Sequence, residues 1–370
     1  MMKHRLLHLM LMLGFLPSVV LAQNWHVPPR LDYKTVLEFS EGLARVKSHD
    51  GKWGYINTQG KEIAAPKFEG AKDFSNGMAS VKLNGKFGYI DRTGKMVIEP
   101  QYDEGFHFRD GLAKVRKGLW GFIDKKNRPV VQFKYADLNY LYNGVAAAKL
   151  RGKWGFIDRK DRALVDFKYE QVMDFYDKTA QWTPVKKNGK WGYIDRTGQE
   201  KASFIYGYAW PFTDGMSGAK KDGKWLFINS QGREITKAIY EEAGWFYEGL
   251  GKIRKDGKRG FINKMGKEVI APKYQSVWQF SEGLCFVKKD DKWGAINKRG
   301  QMVIPNKYDF AYQFHEGLAK VRLNGKRGFI DKKGKLVFPC KFERASEFDK
   351  GYAAAKFNGK WGILKSPLAK

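Results

Sequence analysis

The sequence predicts an all-β protein, a tandem array of hairpin units, on three observations. One short phrase recurs: a turn, then Lys-Trp-Gly-aromatic-Ile-Asp/Asn, with its Trp slot at Trp53, Phe87, Trp120, Trp154, Trp191, Trp225, Arg259, Trp293, Arg327 and Trp361. Seven of the nine intervals are 34 residues, one is 33 and one is 37; a fixed period of roughly 20 to 50 residues marks a stacked repeat protein. Asn-Gly or Asp-Gly stands just ahead of the phrase, as at Asn84-Gly85, Asn188-Gly189, Asp222-Gly223, Asp256-Gly257, Asn324-Gly325 and Asn358-Gly359. Between two β-type runs this dipeptide is the strongest short-range hairpin signal, because both turn positions need positive φ. What remains of each period leaves no room for a helix.

One unit shows the elements in order. Met78-Ala79-Ser80-Val81-Lys82 reads as a strand, Asn84-Gly85 as the turn and Lys86 to Asp91 as the return strand. Asp91-Arg92-Thr93-Gly94 makes a second turn, since an Asp side chain bonds backbone groups two residues on and Gly accepts the left-handed position. Met96-Val97-Ile98 is a third strand, ending near Pro100, which cannot continue a central strand. The chain so read supplies ten hairpins but nine third strands, with no terminus evident to complete the last unit. That predicts an open solenoid or superhelical array from 23 to 370. The alternative is a closed, propeller-like ring, whose blades usually carry four strands in about 40 or more residues.

The first 22 residues stand outside the repeat. Lys3 and Arg5 precede an apolar run from Leu6 to Leu13, then Pro17 and Val20-Leu21-Ala22, the pattern of a cleaved secretory signal and too short for a spanning helix. No later stretch could cross a bilayer as a helix. The expected location is therefore outside the cytoplasm, periplasmic or secreted. The formal charge is +29 over the whole chain, which predicts attraction to anionic surfaces or polymers, while export disfavours genomic nucleic acid as the partner. Cys285 and Cys340 fall at different phases of the repeat, so equivalent stacking does not bring them together; with no nearby His they make no zinc site.

The two-residue turn fixes which residues oppose each other. Lys82 faces Phe87, and by the same count Lys149, Lys186, Lys220, Lys288 and Lys356 face Trp154, Trp191, Trp225, Trp293 and Trp361. A cation over a ring is worth about 0.5–1 kcal/mol when exposed, and the simplest role for these rings is packing between units. Arg259 and Arg327 occupy the Trp slot, facing Arg254 and Arg322. Opposed like charges destabilise a sheet, so a neighbouring carboxylate such as Asp256 or Glu316, or a bound anion, should offset them. Arg254, Arg259, Arg322 and Arg327, around the unit of Trp293, are thus the candidate anion-binding residues. The 37-residue interval holds an insertion from Phe175 to Pro184, and its Tyr176 and Trp182 are candidate contact residues.

Catalytic signals are absent. His26, His49, His107 and His315 occupy different phases, and no metal-protease, nucleophile-elbow or phosphate-loop motif occurs. The Asp or Asn of the second turn is explained by local turn bonding rather than calcium. No cofactor or metal is expected.

Gly-Lys-Trp-Gly-Tyr-Ile-Asp-x-x-Gly, best preserved at 189–198, and the Phe-x-x-Gly-Leu-Ala-x-Val that precedes such phrases resemble the WG (KWG) repeat family of bacteria. The resemblance implies a β-rich, often exported binding or scaffolding module and carries no catalytic residues. The chain departs from the pattern at Leu226, Arg259 and Arg327. The functional expectation is a non-catalytic, monomeric exported module that engages an anionic envelope polymer, lipid headgroup or acidic protein. The alternative is a purely structural protein–protein scaffold.

Overall fold

The computed structural model describes residues 25–176 and 181–369; the leader read at 1–22 lies outside them. The described residues form strands and turns, with no helix. The strands assemble into ten separate antiparallel sheets, nine of four strands and one of three. Blade 1 comprises Thr35–Ser40, Leu43–Lys47, Trp53–Asn57 and Glu62–Phe68, in that spatial order. Blades 2 to 10 begin at Gly70–Ala71, Glu104–Arg109, Asp137–Leu138, Gln171–Val172, Tyr208–Ala209, Glu242–Tyr247, Ser276–Val277, Phe310–His315 and Arg344–Ala345. First strands lie nearest the axis: one recess is lined together by Ser281, Phe314, Phe348 and Glu38, from blades 8, 9, 10 and 1.

The array is a closed ring, a ten-bladed β-propeller, which overturns the open solenoid. Trp25–Leu31 pairs antiparallel with Lys360–Lys365, as Trp25↔Leu364, Val27↔Ile363 and Leu31↔Trp361, and so supplies the missing last strand of blade 10. Pro28 and Pro29 hide this strand from a propensity reading. Proline is tolerated on an edge strand, and the outermost strands of other blades carry it too, at Pro66, Pro100, Pro272, Pro305 and Pro339. The count of three strands per unit was one short. The overlooked first strand is only two residues long in six blades, and in blades 1, 3, 7 and 9 a register shift interrupts it.

The hairpin register is as the turns dictate. Lys82↔Phe87, Lys149↔Trp154, Lys186↔Trp191, Lys220↔Trp225, Lys288↔Trp293 and Lys356↔Trp361 are all paired, and so are Arg254↔Arg259 and Arg322↔Arg327. The Gly of the phrase has a steric cause. A Cβ at Gly54, Gly88, Gly121, Gly155, Gly192, Gly260, Gly294 or Gly328 would lie 2.3–2.9 Å from a carbonyl oxygen of the bulged fourth strand. Blade 6 confirms this by exception: Leu226 replaces the Gly, and the fourth strand is reduced to the isolated bridges Trp225↔Tyr240 and Ile228↔Glu234.

Adjacent blades are joined by aromatic edges. Tyr55, Tyr89, Phe156, Tyr193, Phe227, Phe261 and Phe329 each meet a Phe in or just after the next blade's first strand edge-on at 4.8–5.2 Å, a geometry aromatic quadrupoles favour. A ladder crosses the same seams at the turns between first and second strands. Glu41, Asn76, Asp214, Glu248, Glu282 and Glu316 accept the backbone N–H of Gly77, Gly111, Gly249, Gly283, Gly317 and Gly351 of the next blade at 2.6–3.1 Å. Arg92, Lys264, Lys298 and Lys332 reach back to four of these carboxylates. The seam between blades 10 and 1 differs: Lys350 takes the acidic slot and Thr58 the cationic one.

Two outcomes check this architecture. Deleting residues 1–31 leaves the Lys360–Lys365 edge unpaired and should open the ring, read as a larger radius of gyration in solution scattering and a lower Tm; an unchanged radius and Tm would show that this strand does not close it. Gly294→Ala should cost about 1–3 kcal/mol in denaturant unfolding, because the added methyl meets backbone that cannot move aside.

Candidate functional site

The inner wall is built at one place in each blade. After the opening of the first strand, two residues bulge toward the axis before a buried apolar residue resumes the core. In blade 1 they are Leu37 and Glu38, ahead of Phe39. The shift recurs between Gly105 and Phe108, Ala243 and Phe246, and Ala311 and Phe314. The core needs nothing at these positions, so they differ from blade to blade. Blades 10, 1 and 2 place charge there, with Glu347, Glu38, Lys72 and Asp73. Blades 6 to 9 place aromatic rings there, with Trp210, Trp245, Trp278 and Tyr312.

The aromatic side is nearly continuous. Tyr142 and Tyr176 lie 4.9 Å apart, Tyr176 reaches Trp245 two blades on at 6.3 Å, and Trp245 meets Trp210 edge-on at 6.3 Å. Trp210 stacks on Trp225, and Trp278 on Trp293, while the Trp278 indole N–H donates to the Ala311 carbonyl at 2.9 Å. Trp245 stays 40% exposed and Trp278 36%, high values for rings so placed. Between them lies a recess of about 440 Å³, in the size range of small-molecule sites. A second recess of about 580 Å³ adjoins it through Trp245 and Tyr247.

Cations stand behind this wall, at the third residue of the second strand in four blades. Arg45 is fixed bidentately by Asp73 of blade 2 at 2.6 and 3.1 Å. Lys320 is buried, pairs with Glu347 of blade 10 at 2.9 Å and sits 4.1 Å above Tyr312. Lys114 is held over Trp120 at 4.1 Å. Lys252 lines the 440 Å³ recess. Burial first, then the nearby Arg259 charge, lowers its pKa below that of an ordinary lysine.

The predicted site residues separate into unlike environments. Arg254 and Arg259 share a carboxylate neither candidate position supplied. Glu242 takes Arg254 Nη1 at 2.8 Å and Arg259 Nη2 at 3.2 Å, the Glu241 carboxylate lies 3.1 Å from Arg254 Nε as an ion pair without hydrogen-bond geometry, and Arg259 also donates to the Gln275 carbonyl at 2.7 Å. Arg322 lies 5.8 Å from the Phe310 ring, and Arg327 donates to the Glu343 carbonyl while lining a recess of about 510 Å³ with Arg344 and Lys320. The two arginine pairs therefore face different surroundings, and Trp293, between them in sequence, is a buried packing ring against Trp278 and Phe310. Of the insertion, residues 177–180 lie outside the described residues. Trp182 opens a strand and packs on Phe212, whereas Tyr176 is on the inner wall, 43% exposed. Cys285 and Cys340 are free thiols. The turn Asp and Asn residues bond locally, as Asp91 Oδ1 accepts Thr93 N–H and Lys95 N–H. Among the described residues no group of three or more His, Cys, Asp and Glu could hold a metal. Tyr176 apart, the wall residues were missed because no motif marks them; the available signal was Trp210, Trp245 and Trp278 recurring at near-repeat spacing ahead of the hairpin.

Taken together, a closed ring of ten blades, nine of four strands and one of three, with an individually varied inner wall defines a β-propeller whose interior is free to specialise. The chain belongs to the WG-repeat family: ten consecutive WG-containing repeats match residues 23–53, 53–87, 87–118, 120–154, 154–191, 191–225, 227–258, 260–293, 293–326 and 328–361. No curated protein sequence matches it. Among solved structures, a crystal structure of the eukaryotic initiation factor is similar with a TM-score of 0.53 at 11% identity, over 81% of this chain and 96% of that one. BamB from Moraxella catarrhalis gives a TM-score of 0.38 at 12% identity, over 81% and 94%, and Kluyveromyces lactis Hsv2p 0.36 at 10%, over 61% and 92%. At such identities the likeness concerns the fold alone.

One buried acid on the wall gives a pH prediction. Burial pushes the Asp174 carboxyl from its ordinary value of 3.8 up to about 6, against hydrogen bonds from Asn139 and Tyr176 and the Lys114 charge. A raised folded-state value means that the folded protein holds this proton where the unfolded chain has released it. Stability should therefore fall as pH rises from about 4 to 6, by on the order of 3 kcal/mol from this group. Asp174→Asn should flatten that slope and raise Tm above pH 6, as thermal melts across pH 4–8 would read.

Proposed function

We propose that the protein is a non-catalytic binding ring, exported by a bacterial cell, that engages an anionic polymer through a rim of lysines. The observation that carries this reading is how the charges are divided. Many carboxylates are committed to the fold: Asp91, Asp124, Asp158, Asp195 and Asp331 close the turns between third and fourth strands. Glu69, Asp103, Glu170, Glu241, Asp309 and Glu343 accept the Gly N–H of the hairpin tips. Of the lysines just after the hairpin tips, Lys86, Lys292 and Lys360 pair with Asp103, Asp309 and Asp32, but five others have no such duty. Lys153, Lys190, Lys224, Lys258 and Lys326 are exposed and make no ion pair among the described residues.

Every hairpin tip lies on the same face of a propeller, so these lysines form one rim. With a formal charge of +29 behind it, the rim attracts polyanions over a distance set by a Debye length of about 8 Å at physiological salt. Export follows from the leader pattern at 1–22 and the anionic partner from the charge, as the sequence alone leads one to expect.

Binding of polyglutamate and of polyuronate should fall steeply between low and high salt. The fivefold variant Lys153→Gln, Lys190→Gln, Lys224→Gln, Lys258→Gln and Lys326→Gln should weaken both at least tenfold. Salt-independent binding, or a variant that binds as the parent does, would refute the rim.

A further inference from the structure

We propose that the recess between Trp210, Trp245 and Trp278 is a binding site for a carboxylate-bearing sugar, with Lys252 as its anchor. The site goes beyond the lysine rim and uses none of its residues. Its existence depends on a vacancy. At the first of the two bulged wall positions, eight other blades carry Leu37, Lys72, Phe106, Asn139, Met173, Trp210, Trp278 or Tyr312 and blade 10 the small Ser346, but blade 7 alone carries a glycine, Gly244. The missing side chain leaves the recess between the rings of the flanking blades, and it exposes the Lys252 stem, whose Cβ and Cε lie 3.0 Å from where a Cβ on Gly244 would be.

Lys252 is also the one of the four wall-backing cations with neither an acid nor a close ring. Arg45 and Lys320 are neutralised by Asp73 and Glu347, the second wall residue of the following blade. Lys114 has Trp120 at 4.1 Å. The residue that follows Lys252 in the same relation is Gln279, which is neutral and lines the same recess. Lys252 has no hydrogen bond or ion pair among the described residues. A half-buried ammonium without a partner carries a desolvation cost that a ligand anion would offset. Glu242 also lines the recess, yet its charge is taken by Arg254 and Arg259.

The ligand chemistry follows from these walls. Flat indole faces suit the C–H face of a pyranose ring, while the Gln279 amide and Tyr247 hydroxyl offer partners for its hydroxyl groups. One uncompensated positive charge, beside π-faces that repel anions, matches a single carboxylate better than a doubly charged phosphate. A hexuronate, free or as one residue of a polymer, has this combination.

Calorimetric titration of the full chain with glucuronate, a glucuronate-containing oligosaccharide and glucose tests the assignment. Glucuronate should bind at least tenfold more tightly than glucose, and Lys252→Met should remove that difference. Gly244→Leu, which restores the bulk that Leu37 supplies in blade 1, should abolish binding of both sugars. A gain for the oligosaccharide over the monosaccharide, lost in both variants, would identify the polymer residue as the source; equal affinities would identify the free sugar. The fivefold rim variant should bind glucuronate as the parent does, so the two readings fail separately. No glucuronate binding, no preference over glucose, or binding that survives both Lys252→Met and Gly244→Leu would overturn the proposal. Circular-dichroism melts of each variant confirm that the ring is intact.

Discussion

The ring depends on one close approach, the passage of the fourth strand's backbone over the Gly of the third. That passage leaves no room for a Cβ, and it comes with register shifts on either side, as between Trp53/Tyr55 and Tyr55/Ile56. A strand bent in this way leads straight into the next blade. Only residue 69 separates Glu62–Phe68 from Gly70–Ala71, and single residues 103, 136, 170, 207, 275, 309 and 343 do the same at later seams, blade 6 with its missing fourth strand excepted. With so short a link neighbouring blades cannot separate, and the aromatic edge contacts are set by the same geometry. Where Leu226 denies the approach, the outermost strand loosens in that blade while the inner three persist.

The one-residue link also decides where charge can go. Its usual acid is within reach of the hairpin tip, whose Gly N–H it accepts. The carboxylates at the inner turns likewise hold the N–H groups of the next blade. An acid bonded to backbone N–H groups is favoured in its charged form, so these positions accept negative charge at little cost and release none of it to the surroundings. Positive charge has few structural positions of this kind. The excess of lysine and arginine over acid is therefore displayed outward, and the polarity of the surface is a consequence of how the turns are closed.

Much of this was legible in the sequence, and the parts that were not share a cause. The period, the hairpins and the pairing of Lys149 with Trp154 or Arg254 with Arg259 follow from two-residue turns, which are local. Ring closure is not local. Trp25 has to meet Leu364, and a propensity reading rejects Trp25–Leu31 because of Pro28 and Pro29. Yet the Val27 carbonyl lies over Gly362, 2.7 Å from where a Cβ would be, as the fourth strand's backbone lies over the phrase Gly in other blades, with the Trp25 ring beside it. The unpaired count of third strands was the available clue, and its completion lay at the other end of the chain. Glu242 was missed as the partner of Arg254 and Arg259 for a related reason, since it sits on a first strand too short or too bulged to register as a strand. Tyr176 apart, which the insertion marked, the wall residues escaped because a bulge has no periodicity to read.

That same freedom explains why the specialised side of the ring sits where it does. A residue in the repeat's skeleton is constrained by every seam it touches, so variation collects where a seam is already relaxed. Three consecutive blades carry most of the irregularities, with Arg327 of blade 9 apart from them: the insertion in blade 5, Leu226 in blade 6, and Gly244 with Arg259 in blade 7. The two aromatic recesses lie among these blades and their neighbour, blade 8. A change in one blade admits a compensating change in the next, because each blade packs only on its neighbours. Gly244 is tolerated between Trp210 and Trp278 since those rings are supported from behind by Trp225 and Trp293. The phrase that repeats thus holds the rings that do not, and the Trp slot serves the inner wall by buttressing it.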